Sequence, residues 1–338
     1  MATGKKILGV GAMLFFGLFW SAITLTFDVF IGYAIVQQTR ASGYVPVPAT
    51  ITESRVTESR DSDGVTYKFH ARYTYVVNGQ TYESDRVRYA SMSTNDLRAQ
   101  GLPTKFPLGA KVTAYHDAAN PAEAVLIRGT QGTDIFLTLF MAPFNAVMIG
   151  FWVAGLVRLR DAGRKGLAIS KRIIDRPNVT IVRTPYYMVL VAFGGGVSVA
   201  AFIAIFVVAF GFGGFNPPMK VVVVAWAIAL MAGAALAVHT LVGIVSGKND
   251  WVIDDLAGTF SFRPRWKRVT LRIADITAVQ AETRRQSTTD GESVTHVVTV
   301  RGPEGSFDLF TSPMQSRCEA LALWLKVRLG VKETSAAA

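Results

Sequence analysis

The chain has 338 residues, 50% of them hydrophobic and only 17% charged, whereas a soluble globular chain carries about a quarter charged residues. The formal charge of +11 would suit nucleic acid in a soluble protein, but no groove-reading motif or aromatic platform accompanies it. Loops of membrane proteins on the cytoplasmic side collect Lys and Arg, so membrane lipids are the expected partner and nucleic acid is not.

The apolar residues gather in four blocks, each long enough for the about 20 residues that a helix needs to cross a bilayer. The first runs over 7–36 behind Lys5-Lys6. It is far longer than the roughly 7–15 residues of a cleavable signal, and reads as an uncleaved anchor. Asp28 within it stands about 33 Å along the helix from Lys6 and is expected near the outer interface, in an interfacial or packing role.

Residues 48–130 change period. A strand begins at Ala49-Thr50-Ile51 and continues through Arg55-Val56-Thr57; Asp61-Ser62-Asp63-Gly64 is a turn. Residues 65–77 alternate, with Tyr67, Phe69, Ala71, Tyr73 and Tyr75 on one face, and Asn78-Gly79 is a strong hairpin signal into 80–89. Thr94 reads as the cap of a short helix ended by Gly101. Phe106-Pro107-Leu108-Gly109 turns into a strand over 111–116, and a last strand follows over 124–128. His70, His116 and Asp117 are expected in solvated or turn-capping roles, because a metal site needs at least three convergent ligands.

The pattern Tyr73-x-Tyr75-x-Val77-Asn78-Gly79-x-x-Tyr82, with Phe106-Pro107-x-Gly109-x-x-Val112 and Tyr115-x-Asp117-x-x-Asn120-Pro121-x-x-Ala124-Val125-Leu126, resembles a bacterial family catalogued as domain of unknown function 3592. The resemblance covers roughly residues 48–130. It implies a β domain between two membrane spans and no particular activity.

The second block covers 135–157. A basic loop over 158–186 follows, with Arg158, Arg160, Arg164, Lys165, Lys171, Arg172, Arg176 and Arg183 against Asp161 and Asp175. The third block, 187–212, and the fourth, 221–245, are joined across Asn216-Pro217-Pro218 and form an antiparallel hairpin. Gly194-Gly195-Gly196 is expected to permit close helix packing, and Gly233 with Ala237 has small-xxx-small spacing that would suit a homo-oligomer. His239 is the other ionisable residue of the spans, expected in packing or at the interface.

Lys5-Lys6, the 158–186 loop and Lys248 fall on one side if there are four crossings. By the positive-inside rule both termini are then cytoplasmic and residues 37–134 lie outside. The localisation that follows is the bacterial cytoplasmic membrane.

Residues 250–330 again read as short strands: 251–254, 259–262, 268–273, 276–283, 294–301 and 306–310. A helix over 316–329 follows, with apolar positions at Ala320, Leu321, Leu323, Trp324, Val327 and Leu329, ended by Gly330. The single cysteine, Cys318, reads as a small buried residue of that helix. Element order, with Asp254-x-x-x-Gly258-Thr259 and Ile273-x-x-Ile276-x-x-Val279, resembles the pleckstrin-homology-like domains of bacterial membrane proteins. That resemblance implies lipid or protein binding. Arg263, Arg265, Lys267 and Arg268 interleave with Pro264 and Trp266 and are, with Trp266, the lipid-contact candidates.

The expected architecture is an α+β membrane protein with four transmembrane helices, a small antiparallel β domain between helices 1 and 2, and a C-terminal β domain closed by an amphipathic helix. No catalytic set, metal-ligand spacing or cofactor loop is apparent. The expected function is a non-enzymatic multi-pass membrane scaffold or sensor, and the alternative is an accessory subunit of a larger envelope enzyme or transport complex, with an envelope protein as partner.

Overall fold

The computed structural model describes residues 2–61, 64–89, 98–162, 172–212, 216–264, 267–288, 291–312 and 314–331. It forms two compact units, one of residues 1–152 with 194–233, the other of residues 153–193 with 234–338. Among the described residues, four helical segments are long and apolar enough to cross a membrane: Leu14–Gly43, Gly132–Val153, Tyr187–Gly211 and Met219–Val245.

The first unit opens with helix α1 (Ala2–Arg40), which leads into a five-stranded antiparallel sheet. Its strands are β1 (Val45–Asp61), β2 (Gly64–Val77), β3 (Gln80–Ser84), β4 (Lys111–His116) and β5 (Ala124–Val125), in the order β3-β2-β1-β4-β5. The alternation in β2 sorts its faces: Phe69, Ala71, Tyr73 and Tyr75 are buried with Ile51, Phe106 and Ala114. Burying one such large side chain contributes about 1.5–3 kcal/mol. The phenols of Tyr73 and Tyr75 stay satisfied by donating to the carbonyls of Arg86 at 3.0 Å and Pro121 at 2.7 Å. Asn78 and Gly79 both have positive φ, 51° and 81°, as a type I′ hairpin turn requires.

Three expectations for this domain need correction. The run over 80–89 is a strand only to Ser84; beyond it, the carbonyl of Val87 accepts from the amides of Leu126 and Ile127 instead. Gly101 does not end the helix α2 (Arg98–Lys105). Its φ is not positive, so it supplies no left-handed cap, and the helix stops just ahead of Pro107. Thr94, the expected cap, and Ser62-Asp63 lie outside the described residues. The last strand is also short, because after Val125 the backbone turns to meet the next helix.

That helix, α3 (Gly132–Ala162), packs on α1 through polar contacts inside an apolar surround. Trp20 donates to the Phe144 carbonyl at 3.2 Å, Trp152 to Ser21 at 2.9 Å, and Asn145 to Asp28 at 3.1 Å. Asp28 therefore has a packing partner on α3. The helical hairpin of α4 (Tyr187–Gly211) and α5 (Met219–Val245) contributes residues 194–211 and 219–233 to this unit. Ala201, Ile205, Val208, Val222, Ala225 and Ala229 bury against Phe136 and Leu139 of α3. A Cβ added at Gly132 would fall 2.0 Å from the Pro217 carbonyl oxygen, so the α4–α5 turn sits against the first residue of α3. Gly194 and Gly195, by contrast, have no heavy atom within 4 Å of an added Cβ, and close packing does not explain them.

The second unit holds two antiparallel sheets around one core. Its first sheet contains β6 (Arg172–Arg176) and β7 (Val179–Arg183), a hairpin inside the stretch read from the sequence as a loop. The chain leaves β7 for α4, returns from α5, and continues the same sheet with β8 (Trp251–Asp254), β9 (Thr259–Phe262) and β10 (Val269–Arg272), in the order β10-β9-β8-β7-β6. The second sheet is β11 (Ala278–Thr288), β12 (Gly291–Gly302) and β13 (Gly305–Ser312).

Helix α6 (Gln315–Leu329) closes the core by burying Cys318, Leu321, Ala322, Leu325 and Leu329 against Val182, Ile253, Phe260, Phe262, Val298 and Val300. Gly330 ends it in the left-handed region at φ 64°, as expected. Two of its expected apolar positions, Leu323 and Val327, are instead 64% and 76% exposed.

Candidate functional site

In the first unit the β domain is fastened to the ends of α1 and α3 by a buried polar cluster. Gln38, fully buried in the last turns of α1, donates to the carbonyls of Ile127 at 2.8 Å and Gly129 at 2.9 Å, and its own oxygen accepts from the Tyr89 amide at 3.0 Å. One side chain thereby ties two separate segments of the β domain to the helix, pairing the Tyr89 amide and the Ile127 carbonyl and sharing the Gly129 carbonyl with Gln131, whose Nε2 donates to it at 3.3 Å.

Beside it, Nη2 of Arg88 lies 2.6 Å from both carboxylate oxygens of Asp134, whose side chain is 0% exposed. The same carboxylate accepts from the Gln131 amide at 2.8 Å and stands in the first turn of α3, where the helix dipole favours a negative charge.

A second layer surrounds this clamp. Arg40 pairs with Asp117 at 2.5 Å. The Ala119 amide and the Arg40 guanidinium together hold the Asp117 carboxyl below its ordinary range. The Tyr44 and Tyr89 hydroxyls lie 2.9 Å apart, and each lies within reach of Glu123 Oε2, at 3.3 and 3.1 Å. The two phenolic protons thus serve a three-way cluster in which one tyrosine donates to the other and the other to the carboxylate. Burial, reinforced by Tyr89, pushes the Tyr44 phenol upward. Asp117 thus caps a turn as expected. His116 is buried rather than solvated, against the Tyr75 ring with Nδ1 3.1 Å from the Asp117 carbonyl. His70 is half-buried and bonds Thr57 at 3.0 Å. Among the described residues no group of three or more His, Cys, Asp or Glu could hold a metal ion.

In the second unit, strand register decides where the basic residues fall. Arg172 opposes Arg183, Val182 opposes Trp251, Val252 opposes Ser261, and Phe262 opposes Val269. The start of β6, the end of β7, the start of β8 and the β9–β10 turn therefore share one edge. It is the edge from which the chain enters α4 and to which it returns from α5.

This edge carries Arg172, Arg183, Lys248, Arg263, Lys267 and Arg268. Arg183 is neutralised by Asp250 at 2.7 Å, while Lys248, Lys267 and Arg268 are exposed and Arg263 is half-buried. Arg265 and Trp266, the other two lipid-contact candidates, lie outside the described residues. The opposite edge carries Asp175, Asp254, Asp255 and Asp275 with Arg176 and Arg272. There Arg328 of α6 binds Asp255 at 2.6 Å and holds its carboxyl below its usual range.

The sheet is thus basic at the helix-proximal edge and carries mixed charges at the far one. Sequence reasoning found the basic turn but missed β6 and β7. The signal available was Pro177-Asn178 between two β-branched runs, with Asn178 now seen at φ 62°.

These elements define an α+β chain with several antiparallel sheets and, among the described residues, four helices long and apolar enough to cross a bilayer. Within it, residues 47–131 match the family described as Domain of unknown function (DUF3592). The match coincides with the β domain between α1 and α3. No curated protein and no solved structure matches the chain.

Proposed function

We propose that the chain is a non-enzymatic, multi-pass scaffold or sensor of a bacterial cytoplasmic membrane. Its DUF3592 domain faces outside, and its C-terminal domain lies against the cytoplasmic leaflet with both termini on that side. Three features support this topology. The pairing of β7 with β8 requires the hairpin of α4 and α5 to leave and return on one side. The basic residues cluster where that hairpin begins and ends. The α4–α5 turn packs on Gly132, at the end of α3 that carries the DUF3592 domain.

The observation that carries the functional reading is the polarised sheet. Three exposed cations, Lys248, Lys267 and Arg268, stand at the edge next to the helices, while the exposed Arg176 and Arg272 stand among aspartates at the far edge. Near an anionic leaflet each contributes about 1 kcal/mol of attraction. Two antiparallel sheets closed by α6 support the likeness to pleckstrin-homology-like domains, which bind lipids or proteins. The helical hairpin inserted between β7 and β8 is a departure from simple element order. The expected partners are membrane lipids and, through the hairpin, a second copy of the chain.

The test uses the full chain in nanodiscs and hydrogen exchange over residues 259–272. Exchange should be slower in anionic than in zwitterionic discs, and replacing Arg263, Arg265, Lys267 and Arg268 together by Gln should abolish that difference. Equal exchange in both lipids by the unmodified chain removes the lipid role. Recovery of a stable hetero-complex after crosslinking in cells and mild extraction would replace the scaffold reading by that of an accessory subunit.

A further inference from the structure

The outer clamp leaves two cations in an unusual position. Arg86 and Arg128 are both exposed, and neither has an ion pair among the described residues, unlike Arg40 and Arg88 beside them. Each guanidinium instead lies over a tyrosine ring, Arg86 over Tyr89 at 4.7 Å and Arg128 over Tyr115 at 4.3 Å. Stacking fixes the plane of the guanidinium while leaving its edge donors directed outward. Arg128 spends one of them on the Tyr44 carbonyl at 3.1 Å.

Their level in the fold is set by Gln38. Arg128 lies between Ile127 and Gly129, whose carbonyls both bind that side chain, and Arg86 lies three residues before Tyr89, whose amide binds it. Tyr44 bridges the two cation-bearing segments, its hydroxyl bonded to that of Tyr89 and its carbonyl accepting from Arg128. Both arginines therefore stand where the apolar run of α1 gives way to the β domain, at the depth of lipid phosphates if the helices cross a bilayer.

We propose that Arg86 and Arg128 form an outer phosphate-binding site that takes the phosphodiester of an anionic phospholipid of the outer leaflet. It rests on the transmembrane reading given above and adds a lipid contact on the face opposite the C-terminal domain. Guanidinium binds phosphate through paired N–H···O bonds, which a point charge does not reproduce. The tyrosines hold the two forks without neutralising them.

The experiment is native mass spectrometry of the full chain from mild detergent with added phosphatidylglycerol. The double variant R86Q/R128Q should lose one retained lipid, with about a tenfold fall in its occupancy. The variant R263Q/K267Q/R268Q should keep that lipid, which separates this site from the basic sheet edge. R86K/R128K, which preserves charge and guards against a folding artefact, should bind more weakly than the native chain and more strongly than R86Q/R128Q. Unchanged lipid occupancy in R86Q/R128Q overturns the proposal. Displacement of the lipid by millimolar inorganic phosphate overturns the lipid assignment and gives the site to free phosphate. Loss of binding in R263Q/K267Q/R268Q alone overturns the outer site while leaving the C-terminal lipid role intact.

Discussion

Asp134→Ala should destabilise the protein by about 3–5 kcal/mol, the cost of removing one partner from a buried ion pair. Asp134 has no exposed side-chain surface and Arg88 only 15%, so the stranded guanidinium could not recover its hydration. The substitution also deprives the Gln131 amide of its acceptor and removes the negative charge from the first turn of α3. The apparent melting temperature in mild detergent checks this. A double change, Arg88→Met with Asp134→Leu, should recover a large part of the loss, because a buried pair replaced as a whole leaves no unpaired charge. A single variant as mild as a surface substitution would mean that water reaches the pair.

Gln38→Leu should have the next largest effect. It preserves the bulk of the side chain but leaves the Tyr89 amide and the Ile127 carbonyl without their partner, while the Gly129 carbonyl keeps Gln131. An unsatisfied buried polar group costs about 1–3 kcal/mol, and two are created together. The expected signature is local: faster hydrogen exchange over residues 86–89 and 126–130, with the β1–β2 ladder unchanged. Uniform loosening of the whole sheet would instead make Gln38 part of the folding core of the domain. No change at all would deny the clamp any role in holding the β domain to α1.

These two residues also mark the limit of what the sequence discloses. The four apolar blocks, the Asn78-Gly79 turn, the aromatic face of β2 and the Gly330 cap are all local signals, and each is found where its local chemistry puts it. Gln38 and the Arg88–Asp134 pair are not local. Gln38 reaches carbonyls 89 and 91 positions away, and Arg88 reaches a carboxylate 46 positions away. In the sequence Gln38 is one of two glutamines after an apolar run. Asp134 is an acid before another, and only its helix-start position hinted at a role.

The basic edge divides in the same way. Arg263, Lys267 and Arg268 were legible as a cluster, but their position beside the helices follows from the register of β7 with β8 across 67 intervening residues. That pairing was hidden because Arg172, Arg176 and Arg183 made β6 and β7 read as a charged loop. Short strands with cations on their solvent side have too weak an alternation to outweigh such a charge run. His116 differs: it shares a face of β4 with the buried Ala114, so alternation points it inward, and its polar ring, expected in solvent, packs on Tyr75.

The central claim is that the two folded domains lie on opposite sides of one membrane, and cysteine accessibility tests it most directly. The chain has a single cysteine, Cys318, which is buried, so an introduced thiol can be read against a low background. Glu83→Cys on β3 and Glu304→Cys in the β12–β13 turn are both at exposed positions. With a membrane-impermeant maleimide on sealed, right-side-out cells or vesicles, Glu83→Cys should label at once and Glu304→Cys only after permeabilisation. Equal labelling of both before permeabilisation, or the reverse order, would contradict the account.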